Sequence, residues 1–216
     1  MKKKTFNYYF LNKYLHPDVP VGYRENLVML VLLKNDPDKK FLLIQEKNFV
    51  WTLPKKGIDA TNLIDGIVNA LSQNIGGELG FKGIVSDEIK PKFEQMAYLV
   101  NFMKQKYDST RSAYEKKKGR PVKGKIYHLA ILYYTGPELL PVERDFEASF
   151  INKYEWVTLD EALSFSQESK SLYEKDNERY SENSLKLNEN LIKKAWEMYE
   201  AIENVKKTKS DQIGLF

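Results

Sequence analysis

Three apolar, β-compatible runs lie nearly end to end between Leu27 and Leu53, and a helical repeat follows them at once. Leu27 to Lys34 and Lys40 to Glu46 are separated by Asn35-Asp36-Pro37-Asp38, a cluster of turn formers, so the two runs pair as a hairpin. Phe49 to Leu53 is a third short strand, stopped by Pro54, which has no amide hydrogen to give to a ladder. Asn62 to Leu79 then sets Leu63, Ile67, Ala70, Leu71 and Ile75 on one helical face. Thr61 or Asn62 caps the start of this helix. Gly76 and Gly77 weaken it and Gly80 ends it. The order calls for an α/β fold.

Further along, Phe93, Met96, Val100, Met103 and Tyr107 recur at three- and four-residue steps, which predicts an inserted helix over about 93–117. Lys125 to Thr135 reads as a strong strand, closed by Gly136-Pro137. Tyr154 to Val157 is another strand, and Thr158-Leu159-Asp160-Glu161 opens a short helix with a capping-box pattern. Residues 167–183 are polar and read as a loop. Ser184 to Lys206 repeats Leu187, Leu191, Ala195, Met198 and Ile202 on one side, the mark of an amphipathic C-terminal helix. The chain therefore divides into an aromatic N-terminal segment, 1–24, packed on a domain at 25–166. A polar loop and helix follow at 167–206, then a flexible tail at 207–216.

Composition limits the chemistry. With no cysteine and two histidines, thiolate metal sites, disulfides and zinc catalysis are excluded. Leu27 to Leu33 is the longest purely apolar run and is far too short to cross a bilayer. No signal peptide is visible, so a cytoplasmic protein with no membrane partner is expected. The net charge is +4, but it is unevenly spread. Residues 111–125 hold Arg111, Lys116, Lys117, Lys118, Arg120, Lys123 and Lys125 against Glu115 alone. Lys116, Lys117, Lys118 and Arg120 form a basic loop that meets nucleic-acid phosphates or is simply solvated.

The stretch from Trp51-Thr52-Leu53-Pro54-Lys55-Lys56-Gly57 to Gly76-Gly77-Glu78-Leu79-Gly80-Phe81 resembles the Nudix hydrolase family. That resemblance implies a mixed sheet sandwiched between helices. It also implies a box whose glutamates hold Mg²⁺ or Mn²⁺ against a diphosphate while water attacks phosphorus. Aligned on Gly80, the box keeps Glu78 and Ile75. Gln73 and Asn74 stand where it has Arg-Glu, Gly77 where it has a glutamate, Asp65 where it has another, and Asp59 where it has glycine. Mg²⁺ asks for hard oxygen ligands, usually with carboxylate among them. Positions 74, 77 and 78 share one helical face, yet Glu78 alone is charged there. Glu78 and Asp65 are thus the remaining candidate catalytic acids. Loss of hydrolysis is the expectation, with no cofactor. If the chain is an active pyrophosphohydrolase on a nucleoside diphosphate derivative, Glu78 with Glu143 and Glu147 would hold the metal. A third reading is a nucleotide-sensing or RNA-contacting module.

The terminal string Gln212-Ile213-Gly214-Leu215-Phe216 resembles the short peptide by which bacterial and phage replication proteins grip the DNA sliding clamp. Two apolar side chains on a solvated tail would gain roughly 1.5–3 kcal/mol each on burial in a partner's pocket. Gln212, Ile213, Leu215 and Phe216 are the candidate anchors, and an adaptor docked on the clamp is the expected function. Lys55 and Lys56, at a strand end, are candidate phosphate contacts or a solvated turn. His128, inside an apolar strand, reads as a satisfied core histidine. Trp51 and Trp156 read as sheet packing, or as an aromatic that stacks a base.

Overall fold

A computed structural model of the chain describes residues 22–46, 49–58, 93–107, 122–134, 151–175 and 182–213, together with positions 109, 112 and 116. The strands are β1 (Tyr23–Leu33), β2 (Phe41–Glu46), β3 (Trp51–Thr52), β4 (Lys55–Gly57), β5 (Phe93–Lys106), β6 (Gly124–Tyr134) and β7 (Ile151–Val157). The helices are α1 (Leu159–Lys175) and α2 (Glu182–Ile213). Together the strands form one seven-stranded mixed sheet with the path β3-β2-β1-β6-β5, β4 pairing with β1 and β7 with β2.

The axis of the sheet is the parallel pair β1–β6, in unbroken register from Tyr23↔Gly124 to Leu33↔Tyr134. Both strands read as nearly continuous apolar runs because both of their faces are buried. One face carries Val28, Leu30, Leu32, Phe41, Leu43, Leu129 and Ile131, which pack against α1 and α2. The opposite face carries Leu27, Met29, Val31, Leu42, Ile44, Ile58, Ala130 and Leu132. The expected hairpin is present. Leu33 N–H donates to the Lys40 carbonyl at 2.9 Å. Asp36 tightens the turn by accepting from Lys40 N–H at 2.8 Å.

The helix expected over 93–117 is instead the strand β5 as far as Lys106, with helical backbone at positions 109, 112 and 116. Two bulges explain the misreading. Gln95↔Leu132 is followed by Ala97↔Ile131, and Leu99↔Leu129 by Met103↔Tyr127. A bulge adds residues to one strand of a pair. At the second, the spacing of same-face positions stretches from two residues to four, which imitates a helical step.

The polar segment 167–183, expected as a loop, is helical through Lys175. Ser169 Oγ donates to the Phe165 carbonyl at 3.0 Å and accepts from Trp51 N–H at 3.2 Å. The buried face of α1 is thus partly made of serine, which apolar periodicity does not register. The capping box at its start is formed. Thr158 N–H donates to Glu161 Oε2 at 2.8 Å, and Glu161 N–H donates to Thr158 Oγ1 at 3.4 Å. The carboxyl of Glu161 is held below its usual range, first by that backbone donor.

Helix α2 also outruns expectation. It begins at Glu182 and ends at Ile213, so residues 207–211 are helix where a flexible tether was expected. The sequence has no glycine or proline between Lys206 and Ile213, and Gly214 comes next. Leu185, Asn188, Leu191, Ile192, Ala195 and Tyr199 are buried along it.

Candidate functional site

Where the Nudix-like stretch begins, the backbone is locked in place. Pro54 contributes its carbonyl to Met29 N–H at 2.9 Å, and Ile58 N–H donates to the Glu25 carbonyl at 3.1 Å. Between them β4 lies antiparallel to β1, with Val28↔Lys55, Leu27↔Lys56 and Asn26↔Gly57 as partners. Directly opposed residues share a face, so Lys55 and Lys56 leave on opposite sides of the sheet.

On the helix-covered side, Lys55 Nζ is surrounded by acceptors. It lies 3.2 Å from Glu46 Oε1, 3.2 Å from Thr52 Oγ1 and 3.3 Å from Asn188 Oδ1. Thr52 Oγ1 also donates to Asn188 Oδ1 at 3.3 Å. An ammonium has three hydrogens to give, and here each has an acceptor inside the fold. Lys55 therefore ties β2, β3 and β4 to α2, and the phosphate contact proposed for it competes with three internal bonds. Next to it, Trp51 stacks on Phe165 with ring centroids 4.6 Å apart and carries Lys153 Nζ at 4.8 Å.

On the other side, Lys56 shares its face with Ile58, Glu25 and His128. His128 is fully buried, and its Nε2 lies 3.2 Å from Glu25 Oε1. Burial pushes the His128 pKa down, against the opposing pull of the Glu25 charge and hydrogen bond. The imidazole is therefore neutral at pH 7, with its Nε2–H donated to the carboxylate. The core-histidine reading of His128 describes what is observed. Sequence reasoning passed over Glu25, because its partner is 103 residues away and only the β1–β6 register brings the two together.

Gln73, Asn74, Gly77, Glu78, Asp65, Glu143 and Glu147 lie outside the described residues. So do Lys117, Lys118, Arg120, Leu215 and Phe216. Lys116 is helical and exposed, while Gln212 and Ile213 close α2. Among the described residues no group of three or more histidine, aspartate or glutamate side chains is arranged to hold a metal. In the sequence, positions 74, 77 and 78 offer one carboxylate, Glu78, with the neutral amide of Asn74 and no side chain at Gly77, while Asp65 stands at a further glutamate slot. Glu25, whose carbonyl accepts from Ile58 N–H, is engaged through its side chain by His128. Mg²⁺ usually takes several hard oxygen ligands, carboxylates among them, and the sequence offers fewer acids here than the full box.

No protein-family model matches the sequence, and no curated protein does. The chain is similar to several solved structures. One is a binary complex of a C. elegans Ap4A hydrolase, at 16% identity over 70% of this chain and 93% of that one, with a TM-score of 0.44. Another is the Nudix domain of Shewanella oneidensis NrtR complexed with ADP ribose, at 14% identity over 79% and 97%, TM-score 0.38. A Nudix hydrolase from Nitrosomonas europaea matches at 12% identity over 70% and 88%, TM-score 0.40.

Proposed function

We propose that the chain is a Nudix-fold protein that has given up part of the acids of its hydrolytic box, is non-catalytic or weakly active, and serves as an adaptor docked on the DNA sliding clamp through Gln212–Phe216. The observation that carries this reading is the course of α2. Among its residues with described burial the last buried one is Tyr199, and Asn204, Val205 and Lys206 are exposed, yet the helix continues to Ile213. At a rise of about 1.5 Å per residue, the turns beyond Glu203 form a stem of roughly 15 Å. The Gln-Ile-Gly-Leu-Phe string begins at the end of that stem, and exposure there would open it to a partner's pocket. The exposed turn at Asn204–Lys206 has little tertiary reason of its own to stay helical, and presenting a peptide supplies one.

The test is calorimetry with the sliding clamp of the same host or virus. Full-length protein should bind with micromolar affinity, about −8 kcal/mol. Deleting Leu215 and Phe216 should weaken binding at least tenfold, which is about 1.4 kcal/mol. Equal binding by both proteins, or none by either, removes the clamp from the account. Incubation with Mn²⁺ and ADP ribose or Ap4A should yield no product. Turnover lost in Glu78→Gln would restore a hydrolase.

A further inference from the structure

The end of the sheet at which β1 and β6 begin is built from cations. The register places Gln105, Lys125 and Arg24 side by side across β5, β6 and β1, with Lys106, Gly124 and Tyr23 as the neighbouring row. Lys104, Lys106, Lys116 and Lys123 are exposed, and Arg24 and Lys125 are half-buried. The acid at this end among the described residues is Glu25, which faces His128. In the sequence, residues 104–125 hold Lys104, Lys106, Arg111, Lys116, Lys117, Lys118, Arg120, Lys123 and Lys125 against Asp108 and Glu115. The three strand ends thus carry cations of their own, Lys104, Lys106, Lys123, Lys125 and Arg24, on a surface that sequence spacing did not reveal.

We propose that this strand-end surface binds the sugar–phosphate backbone of duplex DNA, with Lys104, Lys106 and Lys123 contacting phosphates alongside Lys116 and Arg24. Three observations favour a backbone partner. The cations stand on both faces of the sheet and span two strand spacings, about 10 Å, a width suited to phosphates on either side of a groove. Two of the aromatic rings at this end, Tyr107 and Tyr127, are buried. Tyr23 is half-buried, with Lys104 Nζ 4.4 Å from its ring. Single-strand binders stack bases on several open rings, and Tyr23, already engaged by Lys104, makes a poor platform. The choice of DNA rests on the clamp reading above, since the clamp encircles duplex DNA. The electrostatics of the surface stand without it.

The experiment is fluorescence anisotropy with a 20-base-pair DNA duplex, the matching single strand and an RNA duplex, titrated over a range of salt. Duplex DNA should bind without sequence preference, with log K falling against log salt at a slope of about −4. Replacing Lys104, Lys106 and Lys123 together by glutamine should flatten that slope by about 3, at roughly 0.9 per lost contact. The protein lacking 212–216 should bind DNA as the full chain does, which separates this surface from the clamp peptide. Circular dichroism of the triple variant checks its fold, and replacing Lys193, Lys194 and Lys206 together by glutamine, all on α2, serves as a charge-matched control that should leave the slope unchanged. An unaltered slope in the triple variant, a slope lost equally in the control, or tighter binding of the single strand or of RNA overturns the proposal.

Discussion

The two ends of the sheet share one backbone scheme and differ in what their side chains do. At the end where β1 and β6 finish, charges of both signs interleave. The hairpin turn carries Asp36 and Asp38 among Lys34, Lys39 and Lys40, and α2 adds Glu200, Glu203 and Lys206. Side-chain contacts latch the helix there. Tyr133 Oη donates to Glu203 Oε1 at 3.2 Å, Lys39 Nζ lies 5.8 Å from the Tyr199 ring, and Phe41 packs on Trp196 at 5.6 Å. At the opposite end the cations gather with few acids, and order comes from close backbone approach. Two unit charges 10 Å apart in water repel by only about 0.4 kcal/mol. A fold tolerates such a cluster cheaply but gains no stability from it. One end serves the packing of α2, and the other is left to a function outside the fold.

Substituting Gly124 should damage the cationic end most. A Cβ at this position would lie 2.0 Å from the Gln105 carbonyl oxygen and 2.6 Å from the Tyr23 ring. Gly124→Ala therefore forces β5 and β1 apart. A loss of about 3 kcal/mol in urea unfolding is expected, at the upper end of ordinary overpacking costs. A change below about 0.5 kcal/mol would mean that the strand ends yield easily and that their close approach holds nothing.

A smaller effect is expected at the latched end. Tyr133→Phe removes the hydroxyl shared with Glu203 and should cost about 1 kcal/mol. Faster hydrogen exchange should be confined to the second half of α2. Exchange spread evenly along the helix would show that the latch is no more local than the rest of the packing.

The mildest effect concerns pH. The folded pKa of His128 is depressed below 6.5 by burial. Between the folded and unfolded values the unfolded chain binds more protons, so stability rises with pH through that window. Unfolding free energy should be steady above about pH 7 and fall on acidification below about 6.5. His128→Gln should flatten that segment of the profile. An unchanged slope would assign the acid sensitivity to other groups.

Features set by local chemistry were legible in the sequence. The turn at Asn35–Asp38, the stop at Pro54 and the Thr158–Glu161 capping box each need only a few adjacent residues, and each is formed. Features set by partners distant in sequence were not. The bulges of β5 exist only in its pairing with β6, and they give a strand the spacing of a helix. The serine face of α1 gains its meaning from Trp51, more than a hundred residues earlier. At the candidate site, Lys55 and Lys56 were visible as neighbours at a strand end. Their departure on opposite faces follows from the register with β1, as does the meeting of Glu25 with His128.

The continuous helical course of α2 has a mechanical consequence. A coil fixes only how far its end can wander, whereas a helix also fixes an azimuth, since each residue turns the axis by about 100° and advances it by about 1.5 Å. Whatever engages the end of α2 is therefore held in a set rotational phase relative to the sheet. One residue inserted near Lys207 would swing the domain by about a quarter-turn, while seven would restore its heading to within roughly 20° and displace it by about 10 Å. The stem behaves as an indexed shaft, and its length in residues is a variable of orientation as much as of reach.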